Sequence, residues 1–381
     1  MYEKKVFYIF DSKKMYGKER ANIQVASILI KNRFSVHLFV NSALDDSFER
    51  ELKGFCVTKI PFPRNQKGKD FVFLLRNFIL TLAVLGKKIH IEKPDFIIVP
   101  TEIALLYLSP ILLFSKAKVV FRMGDTPIVD RKKGVLAKIY GLIWRHLIVR
   151  LVDINVCISS FVCERMRLSG RKQAPKDAII WNIAPQRTIK RDGIVYDANN
   201  DALRLGYIGR IVPEKGVYEL VAAAIEILQK GFLIDVYVGG NVNDDVLYFT
   251  KIVEIIKKSK CSERIHFIGH VNDLEKFYDN IDILVVPSIY EEPLSNVINE
   301  AKLYKRPSII FPKGGMIELV THMVDGFICS NSTIEKLYDA ILLYVNNKEL
   351  AHEQGIAAYE SIKKLGLTMN VFEKKWLNVF D

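Results

Sequence analysis

Residues 288–301 read SIYEEPLSNVINEA, and this stretch decides the fold that the sequence predicts. The apolar run at 281–286 predicts a buried strand before it, and the pattern at 294–303 predicts a helix after it. Glu292 then lies on the loop between strand and helix, and Glu300 lies inward about two turns later, at about 3.6 residues per turn. In a parallel α/β sheet such loops lie at the carboxyl ends of the strands, where ligands bind.

The chemistry of this loop suits a sugar attached to an anionic group. Ionised carboxylates carry acceptor oxygens only, so Glu292 and Glu300 can accept hydrogen bonds from sugar hydroxyls. The first backbone N–H groups of a helix have no partner inside the helix and favour anions. The groups expected to do so here belong to Leu294, Ser295, Asn296 and Val297.

This loop resembles the donor-sugar loop of the GT4-type retaining glycosyltransferases, also called glycosyl transferases group 1, which have the GT-B fold. Two Glu residues at this spacing also occur by chance in many helices, so a purely structural role stays open. The flanking apolar strand, the Pro287-Ser288 pair and the Glu300-Ala301 pair strengthen the resemblance. It implies an α/β chain of GT-B fold, with two Rossmann-like, doubly wound parallel-sheet domains that face each other across a cleft.

Strand-like runs alternate with amphipathic helical stretches along the whole chain, which favours parallel sheets. The predicted strands are 6–10, 35–40, 57–60, 96–99, 119–121, 154–157, 204–208, 234–238, 264–268, 281–286 and 308–311. The polar stretch 184–201 is typical of a linker. With the resemblance, we expect an acceptor-binding domain at 1–186, a nucleotide-sugar-binding domain at 187–365, and a C-terminal helix within 366–381 that crosses back to the first domain.

A second motif lies at 205–220, which reads LGYIGRIVPEKGVYEL. A strand is expected to end near Arg210, and Lys215-Gly216 is expected to open a helix. A guanidinium and an ammonium beside a helix N-terminus suit a diphosphate, because Arg can bind phosphate in a bidentate way. An ordinary surface Arg and Lys near a turn is the alternative. In the family that the chain resembles, the matching Arg and Lys neutralise the diphosphate of the leaving nucleotide.

The N-terminal half resembles the family more loosely. Gly17 lies in YGKER at 16–20, which is similar to a glycine-rich turn where backbone N–H groups approach the donor phosphate. Many relatives carry His-Asp where this chain has Gly124-Asp125. Asp125 is expected either to orient an acceptor hydroxyl or to cap the next loop. In the donor loop, Ser295 replaces a glycine of the relatives, which implies an altered preference for the donor sugar.

The resemblance therefore implies two sets of site residues. The expected catalytic residues are Glu292, Lys215, Arg210 and Asp125. The expected donor-binding residues are Gly17, Arg210, Lys215, Gly240, Glu292, Leu294, Ser295, Asn296, Val297 and Glu300. No metal ligand is expected among them.

Composition and motif content limit the other classes of function. Five scattered Cys without a C-x-x-C pair argue against a disulfide framework or a zinc site and fit a reducing compartment. The sequence contains no D-x-D, G-x-G-x-x-G or Walker A motif, which argues against a metal-dependent GT-A enzyme, a dehydrogenase and an NTPase. The family resemblance implies neither a metal nor a resident cofactor. The first residues lack the pattern of a signal peptide. We expect a cytoplasmic protein, with a peripheral position at the inner face of the plasma membrane left open.

The net charge of +12 is unevenly distributed. Residues 1–190 hold 34 Lys and Arg against 16 Asp and Glu, and the remainder holds 21 against 27. The first half is therefore expected to meet an anionic membrane, a diphosphate-linked substrate or nucleic acid, unless its lysines are simply solvated. Nucleic acid ranks lowest, because no recognisable motif interleaves the basic residues with aromatic ones.

Two apolar helical stretches lie in this basic half. Residues 134–151, with Lys138, Arg145 and Arg150, predict an amphipathic helix that either lies on anionic lipid or packs on the core with a solvated edge. The run 71–85 is too short to span a bilayer, and we expect it to be a buried helix.

The function expected from these observations is retaining transfer of a sugar from a nucleotide-diphosphate sugar to a hydroxyl of a glycan or lipid-linked acceptor, in surface polysaccharide or glycolipid assembly. Two alternatives stay open. One is another GT-B enzyme, such as a nucleotide-sugar epimerase. The other is an inactive nucleotide-binding module.

Overall fold

The computed structural model describes residues 4–15, 17–63, 71–128, 134–172, 174–184 and 202–381. The chain divides into two compact units, Met1–Asn182 with Asn370–Asp381, and Ile183–Met369. Each unit contains one parallel sheet with helices between successive strands. The predicted doubly wound α/β class is therefore confirmed.

The first unit contains a seven-stranded sheet of order β3-β2-β1-β4-β5-β6-β7. Its strands are β1 (Lys5–Phe10), β2 (Ser35–Asn41), β3 (Cys56–Ile60), β4 (Phe96–Val99), β5 (Lys118–Met123), β6 (Ile154–Cys157) and β7 (Ala178–Ile179). Its helices include α1 (Gly17–Lys31), α2 (Asp46–Glu51), α3 (Phe71–Glu92), α4 (Glu102–Leu112), α5 (Val135–His146) and α6 (Ser160–Leu168). The central strands read as apolar runs because helices cover both faces of a parallel sheet.

The second unit contains a six-stranded sheet of order β10-β9-β8-β11-β12-β13. Its strands are β8 (Leu203–Ile208), β9 (Ile234–Gly239), β10 (Ile265–Gly269), β11 (Ile283–Val286), β12 (Ser308–Ile310) and β13 (Gly326–Ile328). Its helices are α7 (Val217–Gln229), α8 (Val246–Ser259), α9 (Leu274–Asp279), α10 (Asn296–Leu303), α11 (Ile334–Asn346) and α12 (Lys348–Lys364). The strand order reverses between β8 and β11, which is the position where open α/β sheets bind ligands.

The last helix, α13 (Met369–Phe380), packs on the first unit. Trp376 and Phe380 are buried there, and the Phe380 ring meets the rings of Phe34 and Phe96. The guanidinium of the buried Arg122 lies over the Trp376 ring. Aromatic burial therefore fixes this helix to the first sheet, although α12 before it belongs to the second unit.

Several predicted bounds were wrong. The helix predicted at 294–303 begins at Asn296, and the strand predicted at 281–286 begins at Ile283. The helix predicted at 134–151 ends at His146, and a separate 3-10 turn follows at Ile148–Leu151. Of the predicted linker 184–201, all but Ala184 lies outside the described residues.

The run at 71–85 is helical, but the prediction that it is buried was wrong. Its apolar side chains Phe71, Val72, Leu75 and Ile79 are exposed, whereas Asn77, Thr81 and Leu85 face the protein. In the described parts of the chain, no helix is long and apolar enough to cross a membrane.

Candidate active site

The two sequence motifs of the second unit follow neighbouring strands. Strands β8 and β11 pair in parallel, so the loops that follow them leave the same edge of the sheet side by side. Arg210 and Lys215 follow β8, and Glu292 follows β11. The fold thus brings together two segments that are distant in the sequence.

Gly216 allows the two loops to touch. It has φ +71°, in the left-handed region, and a Cβ at this position would lie 1.8 Å from the carbonyl oxygen of Pro287. The backbone N–H of Ile289 donates to the carbonyl of Glu214 at 3.1 Å. Only glycine permits this approach, because any side chain would collide with the end of β11. A glycine therefore follows Lys215 in the sequence because the contact with Pro287 leaves no room for a side chain at position 216.

Lys215 and Glu292 meet as a result of this packing. The ammonium of Lys215 donates to Oε1 of Glu292, and the Ser288 hydroxyl donates to the same oxygen at 2.7 Å. Glu292 is buried, and Lys215 is mostly so. The ammonium also lies 5.2 Å from the centre of the Tyr290 ring. A carboxylate and an ammonium are thus held in fixed positions at the switch point of the sheet.

A glycine turn supports Glu292 from the next strand along. The N–H of Gly315 donates to the Glu292 carbonyl at 2.7 Å, and the N–H of Gly314 donates to the Glu291 carboxylate at 2.8 Å. A Cβ on Gly314 would lie 2.1 Å from the Glu292 carbonyl oxygen. The 314–315 turn therefore fixes the backbone of the loop, and the Glu292 carboxylate accepts hydrogen bonds from Lys215 and Ser288.

Arg210 lies on the exposed side of the same loop. Its guanidinium is 3.3 Å from Glu214, and its side chain is largely exposed. Its carbonyl accepts a hydrogen bond of 2.6 Å from the buried Tyr207 hydroxyl. Burial, with the nearby Glu292 charge as a smaller cause, holds the pKa of Tyr207 well above its usual value, so the hydroxyl remains a donor. The backbone at Arg210 is thereby fixed while its side chain can reach a ligand.

Gly240 has a packing role beside this loop. A Cβ at Gly240 would lie 2.2 Å from the carbonyl oxygen of Gly209, and its N–H donates to Gly269 at 2.8 Å. The expectation that Gly240 contacts a donor stays a prediction. The loops after β8 and β9 approach each other so closely at Gly240 that a side chain would not fit there.

The N-terminus of α10 lies at the same edge. Ser295 is the N-cap residue, but its side chain accepts no capping hydrogen bond from the helix, and both Leu294 and Ser295 are buried. Asn296 and Val297 are half-buried and begin the helix. Because the helix begins two residues later than predicted, Leu294 and Ser295 belong to the loop rather than to the helix.

Glu300 is half-buried and lies against Tyr278. The Tyr278 hydroxyl lies 3.3 Å from Glu300 and 3.2 Å from the Val297 carbonyl. Burial, followed by the Glu300 charge, raises the pKa of Tyr278 well above its usual value. Tyr278 is therefore a donor that orients the Glu300 carboxylate. Sequence reasoning did not assign a role to Tyr278 or Ser288, and nothing in their spacing indicates one.

The first unit places its own predicted residues at one edge of its sheet. Gly17 begins α1 directly after the β1 loop, and Asp125 follows β5. A Cβ at Gly124 would lie 3.3 Å from Cδ of Lys18, so these two loops are adjacent. Asp125 accepts a hydrogen bond of 2.8 Å from the N–H of Thr126, which fits the capping alternative. Tyr16 of the YGKER turn and residues 129–133 lie outside the described residues.

Curated relatives match part of this chain. Poly(ribitol-phosphate) alpha-N-acetylglucosaminyltransferase of Staphylococcus aureus (strain COL) is 30% identical over 180 residues, 46% of this chain and 35% of that protein. The capsular polysaccharide biosynthesis glycosyltransferase CapM of Staphylococcus aureus is 28% identical over 163 residues, 41% of this chain and 40% of that protein. The match thus spans less than half the length of each relative.

Solved structures match over the whole chain. The crystal structure of Anabaena HepE in complex with UDP and glucose has a TM-score of 0.78 and 17% identity, and the match covers 99% of both chains. At this identity the likeness shows the fold, and the predicted GT-B fold is confirmed. Residues 191–361 match the family model of glycosyl transferases group 1. This part of the chain, which carries Arg210, Lys215 and Glu292, is similar to the glycosyl transferases group 1 family.

Proposed function

We propose that this protein is a retaining glycosyltransferase that moves a sugar from a nucleoside-diphosphate sugar to a hydroxyl of a glycan or lipid-linked acceptor. The observation that carries the proposal is the Lys215–Glu292 pair at the switch point of the second sheet. The family match of residues 191–361 and the sugar-transferring relatives support the same reaction class.

In this proposal the second unit holds the donor. Arg210 and Lys215 bind the diphosphate, because both cations follow β8 and Arg210 exposes its guanidinium. Glu292 holds hydroxyls of the donor sugar, and Glu300 holds the ribose hydroxyls while Tyr278 orients it. The backbone at Leu294, Ser295, Asn296 and Val297 and at Gly240 completes the donor contacts within this unit.

The chemical step is the break of the bond between the anomeric carbon and the diphosphate oxygen. The bonding pair leaves with the phosphate, and Lys215 and Arg210 stabilise the charge that grows there, which is often the largest single contribution to catalysis. The acceptor oxygen bonds to the same face of the anomeric carbon, and its proton passes to the leaving phosphate. Glu292 supports the positive charge on the sugar ring, and neither a metal nor a resident cofactor takes part.

The first unit holds the acceptor in this proposal, with Asp125 orienting the reacting hydroxyl. The relatives act on poly(ribitol-phosphate) and in capsular polysaccharide biosynthesis, which supports a polymer or lipid-linked acceptor for this chain. The excess of 18 positive charges in residues 1–190 supports an anionic acceptor or membrane beside this unit. UDP-sugars are the first donors to test, because the HepE structure contains UDP and glucose.

The decisive experiment incubates the full chain with UDP-glucose and UDP-N-acetylglucosamine, with and without lipid-linked or polyol-phosphate acceptors. Sugar added to an acceptor in wild type and lost in Lys215→Ala is the expected result. Lys336→Ala is the matched control, because Lys336 pairs with Asp339 on a helix of the same unit. Conversion of the donor without an acceptor would favour an epimerase. Nucleotide binding without any turnover would favour an inactive binding module.

A further inference from the structure

Helix α3 exposes apolar side chains that a helix of the protein core would bury. Phe71 is 76% exposed, Val72 69% and Ile79 57%, and Leu75 is exposed on the same stripe. These positions recur at intervals of three and four residues, so they line one face. The opposite face buries Asn77 and Thr81, and the Thr81 hydroxyl donates to the carbonyl of Pro61. This helix thus buries an amide and a hydroxyl group and exposes phenyl and butyl groups. A contiguous exposed apolar face of this kind is typical of a surface that binds a protein or a membrane.

Helix α5 exposes a second apolar stripe. Val135 is 73% exposed and Leu142 58%, with Ile139 and Ile143 exposed beside them. Trp144 is fully buried on the other side, where its ring nitrogen donates to the Ser169 hydroxyl at 3.1 Å. The helix is therefore anchored by one aromatic residue and turns an aliphatic face outward. The core-packed alternative accounts for Trp144 but not for this face.

The two helices that carry these stripes both contact helix α4. Helix α3 packs against α4, and α4 packs against the turn at Ile148–Leu151 that follows α5. Tyr140 of α5 donates to Glu102 at the start of α4 at 2.6 Å. Helix α4 adds the exposed Ile103 at its own start. We call the exposed apolar residues of these helices the α3–α5 face, formed by Phe71, Val72, Leu75, Ile79, Ile103, Val135, Ile139, Leu142 and Ile143.

The exposed charges among the apolar side chains of α3 and α5 have one sign, because Arg76, Lys138 and Arg145 are exposed there. The acidic residues of these helices and of the start of α4 are Glu92, which ends α3 and pairs with Lys88, and Glu102, which is buried. A surface for another folded protein or a second copy of this chain would need acidic residues to pair with these cations. Anionic lipid headgroups supply negative charge over the whole area, and acyl chains supply the apolar contact.

We propose that the α3–α5 face is a docking surface for an anionic lipid bilayer. The apolar side chains enter the boundary between headgroups and acyl chains, and Arg76, Lys138 and Arg145 contact the headgroups. Thr81 of α3 contacts Pro61 directly after β3, at the carboxyl edge of the first sheet, so docking holds the edge that carries Asp125 near the membrane. The inference rests on the proposed function, because docking would bring the enzyme to a lipid-linked acceptor that is confined to the membrane.

The test measures co-sedimentation of the full chain with vesicles of phosphatidylcholine alone and of phosphatidylcholine with one third phosphatidylglycerol. The expected result is binding to the anionic vesicles only, weakened at high salt. Phe71→Ser with Ile79→Ser should lower the bound fraction by about tenfold, because two anchoring side chains are lost. Leu247→Ser is the matched control, since Leu247 is an exposed apolar residue on α8 of the second unit, and it should bind like wild type.

Three outcomes would overturn the docking proposal. They are equal binding to both kinds of vesicle, unchanged binding of the double variant, and a dimer in analytical ultracentrifugation that the double variant dissociates. The last outcome would assign the face to a second copy of the chain. Stabilisation by UDP, measured on the same samples without vesicles, separates this result from the proposed function. A double variant that retains the UDP response but not vesicle binding has lost the docking surface alone.

Discussion

Lys215 and Glu292 are 77 positions apart in the chain, and the ammonium of one donates to the carboxylate of the other. The contact exists because β8 and β11 are neighbours and because Gly216 allows the first loop to touch Pro287. Each partner holds the other in place without a ligand. A site that is already ordered loses less free energy in reorganising around a developing charge.

Replacing Lys215 by Ala tests the role of its charge. We expect turnover to fall by about a hundred- to thousand-fold, because the leaving diphosphate loses a fixed cation. The measurement is sugar transfer at saturating donor. Lys336→Ala should leave turnover unchanged, since its partners Asp339 and Glu335 are exposed. Turnover of Lys215→Ala within twofold of wild type would contradict the role.

Glu292→Gln tests the carboxylate at constant size. The Gln oxygen can still accept from Ser288, but the negative charge beside the sugar ring is lost. We expect turnover to fall by about tenfold or more, with nucleotide affinity largely retained. Glu291→Gln is the neighbouring control, because Glu291 accepts from the Gly314 N–H and its Gln oxygen can do the same. An equal loss in both variants would show that the effect belongs to the loop rather than to the Glu292 charge.

Gly216→Ala tests the contact between the two loops. A Cβ would lie 1.8 Å from the Pro287 carbonyl, so we expect a loss of about 3 kcal/mol or more in the free energy of unfolding. Gly231→Ala is the matched control, since Gly231 has φ +88° but no atom within 4 Å of the added Cβ. The control should lose only about 1 kcal/mol, the cost of the left-handed backbone alone. Chemical denaturation of both variants gives the comparison, and equal losses would contradict the close approach.

The partly buried carboxyl group of Glu219 should make the free energy of unfolding depend on pH. Burial raises the pKa of Glu219, and its Oε2 has no hydrogen-bond partner among the described residues. The folded state therefore holds this proton more tightly than the unfolded state, and the contribution to stability falls as pH rises above the ordinary pKa of 4.5. Glu219→Gln should raise the melting temperature at about pH 8 and leave it nearly unchanged at about pH 4.

The control for this prediction is Glu226→Gln on the same helix. Glu226 lies on the surface and pairs with Lys230 at 3.0 Å, so its removal should change the melting temperature little at either pH. A Glu219→Gln variant that is less stable at high pH would contradict the prediction. It would mean that the N-terminus of α7 stabilises the Glu219 charge more than burial disfavours it.

The sequence contained enough to predict the sheets and the two loops of the candidate site. Strands β8 and β11 are largely apolar runs that are followed by Gly209 and Pro287, and these patterns depend on local chemistry alone. The contact of Tyr278 with Glu300 and of Ser288 with Glu292 joins side chains through tertiary packing. No periodicity encodes such contacts, so they could not be predicted.

The α3 helix shows another limit. The sequence predicts the helix correctly, and an apolar helix in a large chain is usually buried. In the structure, however, Asn77 and Thr81 face inward while most of the apolar stripe is exposed. Hydrophobic periodicity identifies a helix and its stripe but does not identify what covers the stripe. Gly124 is a related case, because its departure from the family pattern accompanies the approach of Lys18, which the sequence alone does not show.

The most direct test of the donor site is a thermal-shift titration of the wild type and of Arg210→Ala with UDP, GDP, ADP and CMP. We predict that one nucleoside diphosphate stabilises the wild type, by about 2.7 kcal/mol at a hundred times its dissociation constant. The same nucleotide should stabilise Arg210→Ala far less, because a diphosphate-binding cation is missing. The absence of any shift in the wild type, or an equal shift in both proteins, would contradict the assignment of the donor site.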